Sequence, residues 1–130
     1  MAGKQFQASH RYARISARKV RPLADLVRGK NVVDALSILE YQPQRGAYLL
    51  KKVIESALGN AMDPDQSSDS QMVRPEDLVI SDVRVDGGPM FKRMRPRARG
   101  MAFVIKKRTS HIQVTLGSED LVIQRKEDFR

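Results

Sequence analysis

The segment between Asp86 and Arg108 decides how this chain is organised, and it reads DGGPMFKRMRPRARGMAFVIKKR. It contains eight basic residues and one acidic residue, Asp86. Its apolar residues follow no helical period, and they form no face that a small core would use. The stretches on either side alternate between apolar and polar residues, which is typical of strands. We therefore predict an extended hairpin over residues 86–108 with its turn near 95–100. At ~3.3 Å per residue, arms of about ten residues reach roughly 30 Å beyond the body.

The two flanking stretches predict an antiparallel pair of strands. Residues 79–85 place Val79, Ser81, Val83 and Val85 at alternating positions. Residues 109–116 place Ile112, Val114 and Leu116 on one side. Period-two alternation of this kind indicates a sheet with one face on the core.

Helical spacing dominates the first half of the chain. We predict helices over 16–28, 32–41 and 44–62, the first two capped by Ser16 and Asn31, with Gly29 ending the first and Pro43 in the first turn of the third. The predicted fold class is α+β: three helices packed on a small antiparallel β-sheet, with a long protruding basic β-hairpin. We expect one domain over 1–130, with a body over 8–85 and 109–116, the hairpin over 86–108 and a tail over 117–130.

Composition excludes several classes of protein. The 130 residues include no Cys, so disulfide frameworks, thiolate zinc sites and Cys nucleophiles are excluded. His10 and His111 are the two imidazoles, and neither pairs with a nucleophile in the sequence. We therefore expect no catalytic residues, no cofactor and no metal site. No stretch of eighteen apolar residues is present, so we expect no membrane insertion.

The positive charge is concentrated in two blocks. The chain carries a formal +9, but residues 1–30 hold eight basic side chains against Asp25, and residues 84–108 hold nine against Asp86. The rest of the chain is net negative. Like charges packed in this way repel one another unless a polyanion neutralises them, which favours a nucleic acid as partner.

Each block has its own expected mode of binding. In the first, Arg14, Arg18 and Arg21 are predicted to share one helical face, although an ordinary solvent-exposed face also fits this pattern. In the second, Arg95, Arg97 and Arg99 alternate with small or rigid residues, so an extended chain directs all three to one side and lets guanidinium groups bind phosphates. Phe91 and the nearby Met residues offer surface on which unstacked bases rest.

A set of motifs resembles the bacterial large-subunit ribosomal proteins of the L twenty-two (uL22) family. The resemblance covers residues 8–116 with its motifs in order. They are Ser16-Ala17-Arg18-Lys19-Val20-Arg21, Arg28-Gly29-Lys30, Gly88-Pro89, Lys92-Arg93, Pro96-Arg97-Ala98, Gly100 and Lys107-Arg108-Thr109-Ser110-His111-Ile112.

The resemblance implies a structural, non-enzymatic role in the cytoplasmic large (50S) subunit. It implies a hairpin that passes through 23S rRNA to line the nascent-polypeptide exit tunnel, and a body that assists assembly beside neighbouring subunit proteins rather than as a homo-oligomer. Met101 and Val104 stand where many relatives have basic residues. The expected tunnel-lining tip consists of Met90, Phe91, Lys92, Arg93, Met94, Arg95, Pro96, Arg97, Ala98, Arg99 and Gly100. The expected RNA-binding residues are Arg11, Arg14, Arg18, Lys19, Arg21, Lys30, Arg84, Lys92, Arg93, Arg95, Arg97, Arg99, Lys106, Lys107, Arg108, Thr109, Ser110 and His111.

Two other functions remain open from the residues alone. A free-standing basic regulator that binds messenger RNA or DNA would carry the same charge blocks. A cationic protein of the membrane surface is less favoured, because the hairpin has no amphipathic helix.

Overall fold

The computed structural model describes residues 4–65 and 73–118, which form one strand, then three helices, then four strands. Residues 66–72 and residues 119–130 of the predicted tail lie outside this range. The elements are β1 (Gln5–Ala13), α1 (Ala17–Val27), α2 (Val32–Tyr41), α3 (Arg45–Met62), β2 (Leu78–Gly87), β3 (Phe91–Pro96), β4 (Ala102–Lys107) and β5 (Ser110–Ser118). Three helices pack on an antiparallel sheet, which confirms the predicted α+β class.

The sheet of the body has β5 at its centre. Its order is β1-β5-β2, with both pairings antiparallel. Ile112, Val114 and Leu116 are fully buried, as their alternation predicted. In β2 the register shifts between Ile80 and Asp82, so the predicted period of two from residue 79 to residue 85 is interrupted. A bulge of this kind changes which side chains face the core, and apolar alternation alone does not reveal it.

Strand β1 is absent from the sequence prediction. It pairs with β5 from Gln5 opposite Gly117 to His10 opposite Ile112. Only Phe6 and Ala13 of this strand are buried, so its apolar signal is weak. As an edge strand it exposes polar residues, and its place is decided by hydrogen bonds to β5 rather than by its own pattern.

The helices bury the stripes that their spacing predicted. In α1 the buried residues are Val20, Leu23, Ala24 and Val27, and α3 buries a longer stripe that includes Leu50 and Ile54. These stripes join the buried faces of the strands in one core. The prediction that Pro43 lies in the first turn of the third helix is wrong, because Gln44 is the residue that caps α3.

The N-termini of α1 and α2 differ in how they are capped, and this gives a prediction. The Asn31 side-chain oxygen accepts a hydrogen bond from the Val33 amide at 3.0 Å, and the Asn31 amide group donates to the Glu76 carbonyl. Ser16 occupies the corresponding position of α1 but makes no side-chain hydrogen bond there. We expect Asn31→Ala to lower the free energy of unfolding by about 1 kcal/mol. Urea denaturation measures this loss.

The matched control is Ser16→Ala, which removes a cap residue that bonds nothing. We expect its free energy of unfolding to stay within about 0.5 kcal/mol of the parent chain. Equal losses in the two variants would contradict the capping geometry of α2.

The hairpin, defined here as β3, β4 and the turn between them, is a separate two-stranded sheet. Its strands pair from Phe91 opposite Lys107 to Pro96 opposite Ala102. Six paired residues per strand span roughly 20 Å, which is shorter than the ten-residue arms predicted from the sequence. Every residue of these strands is exposed except Ile105, which is half-buried. The hairpin therefore contributes almost no side chain to the core, and its side chains are available to a partner.

Candidate nucleic-acid interface

The cations of the hairpin lack acidic partners within the described residues. The ion pairs of that part of the chain join Arg28 to Asp25, Lys51 to Glu40, Lys52 to Glu55 and Arg84 to Asp82. None of them involves a basic residue between positions 92 and 108. Of the second charge block, Arg84 alone is paired, at 2.8 Å. The exposed cations left over are Lys92, Arg93, Arg95, Arg97, Arg99, Lys106, Lys107 and Arg108.

The turn of the hairpin corrects the predicted arrangement of its three alternating arginines. Residues Ala98–Gly100 form one turn of 3-10 helix, and the Arg97 amide donates to the Met101 carbonyl at 2.8 Å. Arg99 and Gly100 both have positive φ, at 62° and 69°. Because the chain leaves the extended conformation here, Arg95, Arg97 and Arg99 do not follow the alternation of one straight strand. The side chains of all three are exposed.

Two residues of the predicted tip lie at the end of the hairpin that is joined to the body. Met90 precedes β3, and Phe91 begins it opposite Lys107, which places both at the end joined to the body. The turn itself is formed by residues 97–101. Phe91 therefore lies beside the body, and only the later part of the predicted tip lies at the far end.

The two faces of the hairpin differ in chemistry. Cross-strand partners share a face, so one face carries the pairs Phe91 with Lys107, Arg93 with Ile105, and Arg95 with Phe103. The opposite face carries Lys92 with Lys106 near the body, followed by Met94 with Val104 and Pro96 with Ala102. The first face therefore has cations along its whole length. The second becomes uncharged toward the turn, where Val104 lies.

A cleft of about 990 Å³ separates the cationic face of the hairpin from the body. Seven of its lining residues are Arg or Lys, and none of the described residues that line it is acidic. The body contributes Arg14, Lys19 and Arg45, whereas the hairpin and its return contribute Arg93, Lys106, Lys107 and Arg108. Seven cations around one open cleft repel one another, so an anion that enters it is strongly favoured.

Arg45 is a cleft residue that the sequence prediction missed. It is the first residue of α3, and its guanidinium donates to the Arg14 carbonyl at 3.0 Å. It stands apart from both charge blocks, so counting charge along the chain does not single it out. Only the approach of α3 to the end of β1 brings it into the cleft.

Some basic residues of the N-terminal block donate hydrogen bonds to the body, whereas others are exposed and make no such bond in the part of the chain that the structure describes. Arg14 precedes α1, so the predicted helical face that it shared with Arg18 and Arg21 is wrong in this respect. The Arg21 guanidinium donates to the Val85 carbonyl at 3.3 Å, and Arg28 donates to the Val83 carbonyl at 2.7 Å. These two arginines bind the free edge of β2. Five further basic residues of this block are exposed and make no side-chain hydrogen bond to β2 within the described residues: Arg11, Arg14, Arg18, Lys19 and Lys30.

The predicted contacts of Thr109 and Ser110 with RNA do not fit their burial. Thr109 is 3% exposed and Ser110 is fully buried, so neither offers surface to a large partner. The Thr109 hydroxyl donates to the Pro89 carbonyl at 2.6 Å, and the Thr109 carbonyl accepts from the Gly88 amide. These residues instead fix the hairpin root, defined as residues 87–90 and 108–110.

His111 also has a partner within the body. Its Nδ1 accepts a hydrogen bond from the Tyr12 amide at 3.0 Å, and the two rings meet edge to face. Tyr12 has a positive φ of 58°, and the register of β1 with β5 shifts at this point. The imidazole therefore holds an unusual bend of β1 in place.

Two other kinds of feature are absent from the described residues. No helix there is long and apolar enough to cross a membrane. No group of three or more His, Cys, Asp or Glu side chains in that part of the chain is placed to hold a metal ion.

The chain is similar to known proteins over most of its length. The family model described as "Ribosomal protein L22p/L17e" matches residues 8–117. The chain is 68% identical over 112 residues to the large ribosomal subunit protein uL22 of Rhodopirellula baltica, covering 86% of this chain and 93% of that one. It is 48% identical over 113 residues to the protein of the same name from Thermus thermophilus, with 87% and 95% covered. A matched segment that includes the strands, the helices and the hairpin, together with identity of this degree, means that the chain belongs to the ribosomal protein L22p/L17e family, a family of structural proteins rather than enzymes.

Proposed function

We propose that this chain is a structural constituent of the large ribosomal subunit in the cytoplasm, where it binds 23S rRNA. The observation that carries the proposal is the set of eight exposed cations between Lys92 and Arg108, which have no carboxylate partner within the described residues. The names of the relatives support the same assignment, since they are large ribosomal subunit proteins. Neighbouring subunit proteins are the further partners that we propose.

Binding takes place through phosphates rather than through base edges. Guanidinium groups donate hydrogen bonds to two phosphate oxygens each in a fixed plane, and lysine ammonium groups act as point charges. The cations lie on a two-stranded ribbon, in a cleft and on α1. Their arrangement in three dimensions therefore suits the phosphate backbone of a folded RNA. An arrangement of this kind recognises the shape of a structured RNA, with little readout of sequence.

The body and the hairpin have different tasks in this proposal. The body joins RNA segments through α1 and the cleft, and in this way it assists assembly of the subunit. The hairpin passes between RNA segments, because a two-stranded ribbon without a core is stable only where it is surrounded. Its far end, with Met94 and Val104 on an uncharged face, lines the exit tunnel and contacts the nascent polypeptide.

Sedimentation tests whether the chain is part of a ribosome. A lysate of growing cells that express a tagged full-length chain is separated on a sucrose gradient, and we expect the chain to move with the large subunit and with whole ribosomes. A free-standing regulator would remain mostly at the top of the gradient. That distribution would overturn the proposal.

A binding assay with purified protein tests which polyanion the interface fits. We expect the full chain to bind a 23S rRNA transcript with an affinity at least about tenfold higher than that for duplex DNA at the same salt, because the cations follow a folded path. The logarithm of the binding constant should fall with the logarithm of the salt concentration by several units, because each neutralised phosphate contributes nearly one. Equal affinity for both nucleic acids would instead favour the basic regulator.

A further inference from the structure

One aromatic ring links the cations of the body to those of the hairpin. The Cζ atom of Arg14 lies 4.4 Å from the centre of the Phe91 ring, and that of Arg93 lies 5.7 Å from the same centre. Both distances are within the range in which a guanidinium is attracted to the ring face. Arg14 belongs to the body and Arg93 to the hairpin, and both line the cleft. Phe91 thus holds two like charges at one place where they would otherwise repel each other.

Stacking on a ring leaves a guanidinium able to bind an anion. The attraction uses the flat face of the group, whereas its N–H donors point outward in the plane. The backbone of Arg14 is fixed as well, since its carbonyl accepts a hydrogen bond from Arg45. The two groups are therefore held in place before any anion arrives. Preorganised groups lose less conformational entropy on binding, which raises affinity.

We propose that Phe91 is a positioning residue that holds Arg14 and Arg93 as a pair across the cleft, so that together they bind one stretch of RNA phosphate backbone. This inference rests on the proposed function and deepens it, because it assigns a partner to the cleft and a role to an aromatic residue that touches no phosphate itself. It also differs from the expectation that Phe91 carries an unstacked base, because its ring faces are engaged by guanidinium groups.

A double-mutant cycle tests the pairing. The full-length chain and its variants Arg14→Ala, Phe91→Leu and the double variant are bound to a 23S rRNA transcript over a salt series. If Phe91 positions Arg14, we expect Arg14→Ala to weaken binding about tenfold in the parent chain but less than about threefold in the Phe91→Leu background. Losses by the same factor in both backgrounds would overturn the proposal, because they would show that Arg14 acts independently of the ring.

Two further variants separate the effect of the ring from a general change in the hairpin. Phe91→Tyr keeps the aromatic face, so it should restore binding to within about twofold of the parent chain. Phe103→Leu removes a ring from the same face of the hairpin, opposite Arg95, and no cation–π contact within the described residues involves that ring. It should change binding less than about twofold. An effect of Phe103→Leu equal to that of Phe91→Leu would also overturn the proposal.

The parent chain distinguishes failure of the inference from failure of the proposed function. If the parent chain bound the transcript with no salt dependence, the proposed RNA-binding role itself would fail. If it bound as expected and the cycle were additive, only the role of Phe91 would be lost. Thermal unfolding of each variant should match the parent, because Phe91 is exposed and lies outside the core.

Discussion

Replacing Lys106, Lys107 and Arg108 together with alanine should weaken binding to 23S rRNA by about a hundredfold. All three line the cleft and all three are exposed, so each is free to neutralise a phosphate. The slope of the logarithm of the binding constant against that of salt should become shallower by about two to three units, since each lost phosphate contact removes nearly one. Filter binding over a salt series measures both quantities.

The control for this prediction removes the same charge elsewhere. Lys51, Lys52 and Arg74 lie outside the cleft, and the two lysines pair with Glu40 and Glu55. Their replacement by alanine should shift affinity far less, by about threefold at most, through the general field of the protein. A similar change of slope in both triple variants would contradict a localised interface, because it would mean that net charge alone drives the binding.

Replacing Gly88 with alanine should lower the free energy of unfolding by about 1 to 3 kcal/mol. A Cβ atom at this position would lie 2.5 Å from the Thr109 hydroxyl oxygen and 3.2 Å from Nε2 of His111. The hydroxyl cannot easily move away, because Thr109 is buried and donates to the Pro89 carbonyl. The hairpin root must therefore shift to admit one methyl group. Urea denaturation measures the loss.

The neighbouring glycine supplies the matched control. A Cβ atom at Gly87 would meet no atom within 4 Å. Gly87→Ala should therefore leave the unfolding midpoint unchanged or raise it slightly, because alanine restricts the unfolded chain. If both variants unfolded at the same urea concentration, the close packing of the hairpin root against Thr109 would be refuted.

The two variants separate the effect of charge on RNA affinity from the effect of hairpin geometry. The triple variant removes charges but keeps the packing of Gly88 against Thr109, whereas Gly88→Ala keeps every charge and displaces the strands that carry them. We therefore expect the second variant to lose RNA affinity with a nearly unchanged salt slope. We therefore expect Thr109, a buried residue of the root, to affect binding without touching the partner.

Local patterns predicted the elements that carry a strong signal of their own. The apolar stripes of α1 and α3 and the buried side of β5 repeat with a fixed period, and the cap at Asn31 is a recognisable residue type at a helix start. Each was found where it was predicted. The position of β1 could not be predicted in this way. Its exposed polar residues give no period, and its conformation follows from pairing with a strand about a hundred residues later.

The sequence likewise predicted some features of the candidate interface and missed others. Segregated charge in the sequence was enough to identify the hairpin cations and the class of partner. The contacts of Arg21, Thr109 and Phe91 within the protein were not predicted, because each depends on an atom of another element: the Val85 carbonyl, the Pro89 carbonyl and the Arg14 guanidinium. Arg45 was missed because its charge is isolated in sequence and acquires its neighbours only in space.

The sequence by itself determined the helices, the central strand, the protruding basic hairpin and the need for a polyanion, because periodicity and net charge are properties of neighbouring residues. The tertiary structure alone decided which cations face the cleft, which ones bind carbonyls of β2, and how the hairpin leaves the body. Those outcomes depend on distances between residues far apart in the chain, and a distance of a few ångströms separates a guanidinium that bonds a carbonyl from one that remains available to a phosphate.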